Sequence, residues 1–589
     1  MIIPYQRVLL QHLSKNAVWY AFALFTGYLA LNLFNAAFFS APIIQDDYSL
    51  HYANSIEVLR HLLDRGAVWG YSPWYCAGRS AFGIDDIWSV PFLMLLGPLL
   101  GSAGAFNISI IVAFYIPPLA SLVFMKCFGA GPKASVMAVT ATMLAVVGMV
   151  PVRSFYYIGC YGFVLGSALC LLLLGIVKSF LEKPGVVSGM LLCLLGTASI
   201  LVHPLSAVVF LILALPVLVI ERKKLSIVST AVIAGSGLIA VGVNLLWYLP
   251  YRANTPVETH VVNNMQTSSG YLIEVLTGNK TFLLLVVLFV LTVFRWYRTK
   301  QYASIAIWGS SVLAFALIAF RGTQLGLRNL EPNRFIIPLQ FEMIVLVSRE
   351  VFESGIFLKI PLRILSVVFM VLCFRPMPNY VFGFGEFPAA EALISNLKGN
   401  GGPEGRVLLQ DSFGHPYFNC HFSALIPVLS GRETTANTYR GLPPKYPQFV
   451  EQSLFGTTLD RLTPDGLQEQ LTLFDISHIL VYSPDARAYF DSCGIVEPLL
   501  YRDGFSLYAV RDADGDRCFD CAADVTAGPE GIFVTDASDS VTVLKYHFFP
   551  YLKVIPDSLA ITPIHLSDDP QPFIRVENGT VSSFAITNR

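Results

Sequence analysis

The sequence predicts a polytopic α-helical membrane protein with about 11 transmembrane helices, ending in a C-terminal extracytoplasmic domain that is α/β first and β-sandwich after. Three observations carry that prediction. Of 589 residues 54% are hydrophobic and only 13% charged, with mean hydropathy +0.59, a balance that an ordinary soluble chain of this length does not keep. Apolar runs are concentrated before about residue 376, and a helix needs roughly 20 apolar residues to cross hydrocarbon. After Pro376 glycine, proline and charged residues return, among short alternating runs. With a net charge of −1 and no basic tail or cluster, the chain has no electrostatic footprint for nucleic acid.

Spans are expected near 17–39, 105–127, 134–150, 162–180, 186–202, 204–220, 226–249, 281–295, 302–320, 335–348 and 360–376. The stretch Ile87 to Leu100 is apolar but short and interrupted by Pro91, Gly97 and Pro98, which reads as interfacial or re-entrant. Orientation follows from the short loops. With the N-terminus inside, the inner loops carry Arg7 and Lys15, Lys126 and Lys133, Lys178 and Lys183, Arg222 to Lys224, Arg295 to Lys300, then Arg349, Lys359 and Arg363. That places Asp46 and Asp47, the Tyr156 turn, the His203 turn, the loop 251–280 and everything after Pro376 outside, in a plasma (inner) membrane protein whose first span is a retained signal anchor. The expected domains are therefore a transmembrane domain 1–376 with a first outer loop 40–104, an α/β domain 377–521 and a small sandwich 522–589.

In the α/β part, "RVLLQ" (406–410), "HILVY" (478–482) and 506–510 read as strands, and 389–397 and 465–474 as helices. Beyond residue 522, "GIFVTD", "SVTVLKYHFFPYLKVI" and "FIRVENGTVSSFAI" alternate between turn residues like the strands of a sandwich. Cys518 and Cys521 have redox or half-zinc-site spacing, yet no helix pattern follows and no second pair completes a metal site. A structural disulfide is the reading left to test.

A first span ending in a short outer loop with adjacent carboxylates, the amphipathic stretch "YSLHYANSIEVLRHLLDRGAVWGYSPWYCAGRSAFG", many spans and an outer C-terminal domain resemble the GT-C superfamily of membrane glycosyltransferases. "GRVLLQDSFGHPYFNCHFSALIPVLSGRETTANTY" and "SLFGTTLDRLTPDGLQEQLTLFDISHILVYS" further resemble bacterial members often labelled 6-pyruvoyl-tetrahydropterin-synthase-related membrane proteins. The resemblance implies transfer of a sugar from a polyprenyl-phosphate donor, with inversion, to an envelope glycan, lipid or protein acceptor on the outer face of the membrane.

That chemistry gives the candidate residues their roles. An acceptor hydroxyl needs a carboxylate within reach to take its proton, which fits Asp46 or Asp47; the pair also suits a divalent cation, Mg or Mn. The competing reading is a solvated helix exit, or a cap on the helix that follows. Asp85 and Asp86 read as a turn. A polyprenyl phosphate leaving group needs fixed donors, and Arg334, Arg328, Arg153 and Arg321 lie on the side the positive-inside rule disfavours. For Arg334 the plainer reading is a snorkelling anchor or an ion pair with Glu331. Trp69, Trp74 and Tyr156 are candidates to stack on sugar rings, against the ordinary interfacial belt, and His203 and His260 are candidates for acceptor contacts. His51, Glu258 and Glu274 rest on loop position alone.

Other functions stay open at this point. A lipid-linked glycan transporter or flippase would share the spans but bring inverted repeats and broken midplane helices, neither of which the sequence displays. A ligase moving a whole lipid-linked glycan, or a non-catalytic envelope-assembly protein, also fits the composition.

Overall fold

A computed structural model describes residues 2–82, 87–254, 270–353, 356–382, 388–399, 404–411, 422–436, 449–513, 515–519, 521–528, 530–566 and 569–588. The chain forms two compact units, one of Met1–Phe38, Ala105–Leu246 and Asn263–Tyr380, the other of Phe39–Gly104, Trp247–Val262 and Val381–Arg589.

The first unit is helical, and a helix stands at each of the eleven apolar runs. Among the described residues five helices are long and apolar enough to cross a bilayer: Val90–Cys127, Tyr161–Glu182, Ile227–Pro250, Lys280–Arg298 and Tyr302–Arg321. A sixth span results if Pro132–Gly148 and Val150–Tyr157, bent by 57°, are one crossing. The bend has a local cause, because Met149 is extended and Pro151 sits in the first turn of the second piece, where it cannot continue the first helix's hydrogen bonding. Gly148 must be glycine, since a Cβ there would lie 1.6 Å from the Cys373 carbonyl oxygen. At the centre stands Tyr161–Glu182, buried on almost every face. Among the polar links that tie helices inside the unit are Ser311 to Glu342 and Arg295 to Glu350.

Gly101, at φ 74° and ψ 161°, breaks Val90–Cys127. The segment read as interfacial or re-entrant is thus largely helical, and the break at Gly101 sets it off from the span beyond.

The second unit joins the first loop to the C-terminal part of the chain. The loop supplies the helix Tyr48–Arg65, closed by Gly66 in the left-handed region, and an antiparallel hairpin pairing Trp69–Ser72 with Arg79–Phe82. The α/β part is a seven-stranded mixed sheet in the order 457–458, 453–454, 449–450, 406–411, 476–481, 505–510, 496–502. Arg406–Asp411 runs parallel to both of its neighbours, the rest antiparallel. Helices 464–473 and 484–493 contribute to one apolar cluster with Leu408, Ile479 and Val481; helices 388–399 and 422–430 contribute to another with Val407, Leu409 and Leu480, as the alternation of a strand demands. The remainder is a sandwich of two four-stranded antiparallel sheets, and Cys518 and Cys521 are disulfide-bonded.

The loop is woven into both parts. Cys76 N–H donates to the Thr434 carbonyl and Thr434 N–H to the Trp74 carbonyl, each at 2.9 Å, and the Tyr75 hydroxyl donates to Ala424 at 2.7 Å. His547 N–H donates to the Ala77 carbonyl at 2.7 Å, while Tyr71 enters the sandwich core. Cys76, Ala77 and Gly78 all hold positive φ (56°, 56° and 107°), a strained run that persists because the surroundings fix it. Where the sheet meets the sandwich, Arg406 pairs with Glu433 at 2.8 Å and covers the Tyr546 ring, whose hydroxyl donates to Glu433 at 2.6 Å; Arg517 lies 2.8 Å from Asp475 and 3.4 Å from Glu433. Burial alone would raise the Glu433 pKa, but Arg517, Arg406 and Tyr546 outweigh it and hold the carboxylate low. For Asp475 burial wins over Arg517 and pushes the pKa up to about 7.

Candidate functional site

In the helical unit the structure brings two of the candidates together. His203 ends the helix Val186–Val202 and is buried, its ring edge-on to Phe163 at 4.9 Å. Its Nε2 lies 3.2 Å from an Arg334 guanidinium nitrogen; arginine can only donate, so the imidazole nitrogen accepts. Arg334 also pairs with Glu331, the partner the residues had offered as the plainer reading. Two glycines let this junction close. A Cβ on Gly166 would meet Ser206 Oγ at 2.1 Å and the His203 Cβ at 3.3 Å, and one on Gly322 would meet Pro332 at 2.6 Å. The result is a guanidinium that is mostly buried, oriented by a carboxylate on one side and an imidazole on another.

The other candidates in this unit have surroundings of their own. Arg153 is half-buried on the helix Val150–Tyr157, within electrostatic reach of Tyr28, whose hydroxyl donates to the Arg375 carbonyl at 2.7 Å. Tyr28 lines an apolar groove of about 470 Å³ with Tyr20, Leu24, Thr140, Met143 and Phe374. Tyr156 is buried, stacked on Phe114 at 4.2 Å, with its hydroxyl donated to the Ala113 carbonyl at 2.8 Å. Arg321 and Arg328 are exposed, and Glu274 lies in the short helix Tyr271–Gly278.

In the second unit Asp46 takes a left-handed φ of 48°, and Asp47 occupies the N-cap position of Tyr48–Arg65 without a side-chain capping bond. Both are half-buried. The capping explanation therefore does not account for Asp47's side chain, though the helix N-terminus still favours negative charge there. Trp69 packs edge-on against Tyr551 at 5.1 Å, and Trp74 carries the Arg60 guanidinium at 4.8 Å over its ring. His51 is buried. Among the described residues no three His, Cys, Asp or Glu side chains converge as a metal cluster. His260, Glu258, Asp85 and Asp86 lie outside the described residues.

Sequence reading missed three features: the Arg406–Glu433–Arg517–Asp475 network, the Glu342–Ser311 link, and the face of the first-loop helix formed by Glu57, Arg60 and His61. Only the last had a signal, three polar residues spaced i, i+3, i+4 on one helix. Glu57 there pairs with Arg79 at 2.8 Å and accepts from the Ser72 hydroxyl.

No family model matches the chain, and no curated protein matches its sequence. Solved structures do match. The apo oligosaccharyltransferase of Archaeoglobus fulgidus superposes with a TM-score of 0.52 at 10% identity, over 80% of this chain and 69% of that one. The same archaeal enzyme, AglB, in complex with an inhibitory peptide and a dolichol-phosphate gives 0.51 at 10% identity, over the same shares. The mycobacterial arabinofuranosyltransferase AftD gives 0.51 at 13% identity, over 87% of this chain and 42% of that one. These likenesses show fold alone, a GT-C-like one, and the apolar helices suit a multi-pass membrane protein.

Proposed function

We propose that the protein is an inverting glycosyltransferase that moves a sugar from a polyprenyl-phosphate donor to an acceptor at the outer face of the plasma (inner) membrane. The observation that carries the reading is the fold, shared over 80% of the chain or more with an oligosaccharyltransferase and an arabinofuranosyltransferase. That the archaeal relative in fold is solved with a dolichol-phosphate supports a lipid-linked donor. In this reading Arg334, aligned by His203 and Glu331, meets the donor phosphate as it leaves. Arg153, close to Tyr28 at the groove, is the second candidate for that phosphate, with Arg328 and Arg321 behind it.

Asp46 or Asp47 takes the proton of the attacking acceptor hydroxyl. Asp46 and Asp47, adjacent in sequence and both half-buried, are the oxygen donors that would suit a magnesium- or manganese-like ion. Asp46 and Asp47 would hold it, and it would supply Lewis-acid charge. Trp69 and Trp74 serve the acceptor side.

The test is comparison of lipid-linked sugars and envelope glycans by mass spectrometry with and without the gene, followed by transfer assays on the purified chain. Asp46→Asn or Asp47→Asn should cut transfer by at least about 10², the loss expected for a general base. Near wild-type turnover in both single variants and the double variant would end the assignment of the base.

A further inference from the structure

A small cavity opens between the first-loop helix and the strand that follows it, lined by Glu57, Arg60, His61, Tyr71, Ser72 and Trp74. Its volume is about 10 Å³, room for one water or one hydroxyl group. His61 is only 3% exposed, yet neither ring nitrogen has a hydrogen-bond partner. A buried polar group left in that state is costly, so it marks a place where something outside the chain completes the bonding. We propose that this cavity is a subsite for a sugar hydroxyl of the acceptor, and that the acceptor is an oligosaccharide chain.

Chemistry selects the ligand. Burial outweighs nearby Glu57 and lowers the His61 pKa to about 4, so at neutral pH the ring offers one N–H donor and one lone pair. A hydroxyl group, which both donates and accepts, matches that pair; an alkyl group would leave both nitrogens unmet. A carboxylate or phosphate would meet Arg60 but would also face the imidazole lone pair and the Glu57 carboxylate. Glu57 is already engaged by Arg79 and Ser72, which leaves His61 without a second ligand for a metal ion. Beside the cavity stands Trp74, with Arg60 over its ring, offering the apolar wall against which a sugar packs.

Position then constrains acceptor length. Glu57 and His61 follow Asp47 by ten and fourteen residues along the same helix, about 15–20 Å at its rise per residue. A single sugar cannot reach from the aspartates to the cavity, whereas a chain of several units can. This inference rests on the transferase reading and adds to it the class of acceptor.

The experiment uses the full chain in lipid nanodiscs with neutral glucose-, mannose- and galactose-based oligosaccharides of one to six units, alongside uronic-acid oligomers. Saturation-transfer NMR should detect binding that strengthens beyond about three units. His61→Phe should weaken the longer oligomers at least about tenfold, while His61→Gln, which keeps a donor and an acceptor, should stay near wild type. In the unaltered protein, labelled His61 ring nitrogens should shift on adding a long oligomer, a readout independent of how well the variants fold. Binding indifferent to length, binding by the acidic oligomers alone, or full binding by His61→Phe would overturn the proposal. Transfer from a lipid-linked donor is measured on the same preparation. Transfer to a lipid or peptide acceptor without oligosaccharide binding would sink this inference and leave the transferase standing, whereas oligosaccharide binding without any transfer would sink the transferase reading and leave the subsite.

Discussion

Two glycines of the first loop separate backbone strain from packing, and substituting each by alanine measures how tightly the loop is held. Gly66 and Gly78 both have positive φ, at 67° and 107°. A Cβ on Gly66 would meet nothing within 4 Å, but one on Gly78 would lie 1.9 Å from the Tyr71 hydroxyl oxygen and 2.6 Å from its ring. Gly66→Ala should therefore cost only the backbone term, about 1–2 kcal/mol. Gly78→Ala carries a similar term, plus overpacking of roughly 1–3 kcal/mol as Tyr71 is displaced. Tyr71 would also lose its hydrogen bond to the His547 carbonyl, worth about 1 kcal/mol, and its edge contact with Phe549. The difference between the variants should be about 3 kcal/mol, or roughly 5–10 °C in melting temperature for a unit of this size. Thermal melts of both proteins in the same detergent, followed by proteolysis of the first loop, make the measurement. If the two alanine variants melt together, the loop does not press on Tyr71 as described and the argument for a rigidly held loop fails.

Three further outcomes are expected. Arg334→Lys should lower transfer more than tenfold, about 1.4 kcal/mol of transition-state stabilisation, while the melt is unchanged; if instead only Arg153→Lys loses activity, the phosphate belongs with Arg153. Asp475 has its folded pKa raised from 3.8 to about 7, so its contribution to stability is full below pH 4 and fades as pH rises through 7. Melts of Asp475→Asn across that window should show a shallower decline than wild type, and an identical slope would refute the burial-driven shift. Finally, a cysteine at Ser558 should react with a membrane-impermeant thiol reagent in intact spheroplasts of a strain in which the native cysteines outside the Cys518–Cys521 bond, Cys420 included, are replaced, and one at Ser226 should not; labelling at Ser226 alone would invert the orientation.

The parts of this structure legible in the sequence are those set by local pattern. Apolar run length gave the helices, and alternation gave the strands around Leu408, Ile479 and Leu507. The Cys518–Cys521 bond could be foreseen because its partners are three residues apart. What escaped reading depends on pairings across long separations. Arg406 meets Glu433 across 27 residues and Tyr546 meets Glu433 across 113, and nothing near any of them announces the others. At the candidate site, His203 and Arg334 were each conspicuous as polar residues near hydrocarbon, but their contact spans 131 residues. His61 gave only a weak signal, its spacing from Glu57: a histidine on an amphipathic helix looks ordinary until its burial and missing partners are known.

The weaving of the first loop into the C-terminal part has a consequence for how the protein is made. Ser80 bonds Tyr551 and Tyr71 bonds the His547 carbonyl, so partners lie 471 and 476 residues apart. At about 5–20 residues per second, on the order of half a minute to a minute and a half passes between synthesis of the loop and arrival of the strands that fix it. For that interval the first loop lacks its contacts to the sandwich, and bonds to residues made earlier in the chain, those to Ala424 and Thr434 among them, are what can hold it. A chain cut short before residue 547 therefore lacks the sandwich's hold on the loop along with the missing tail.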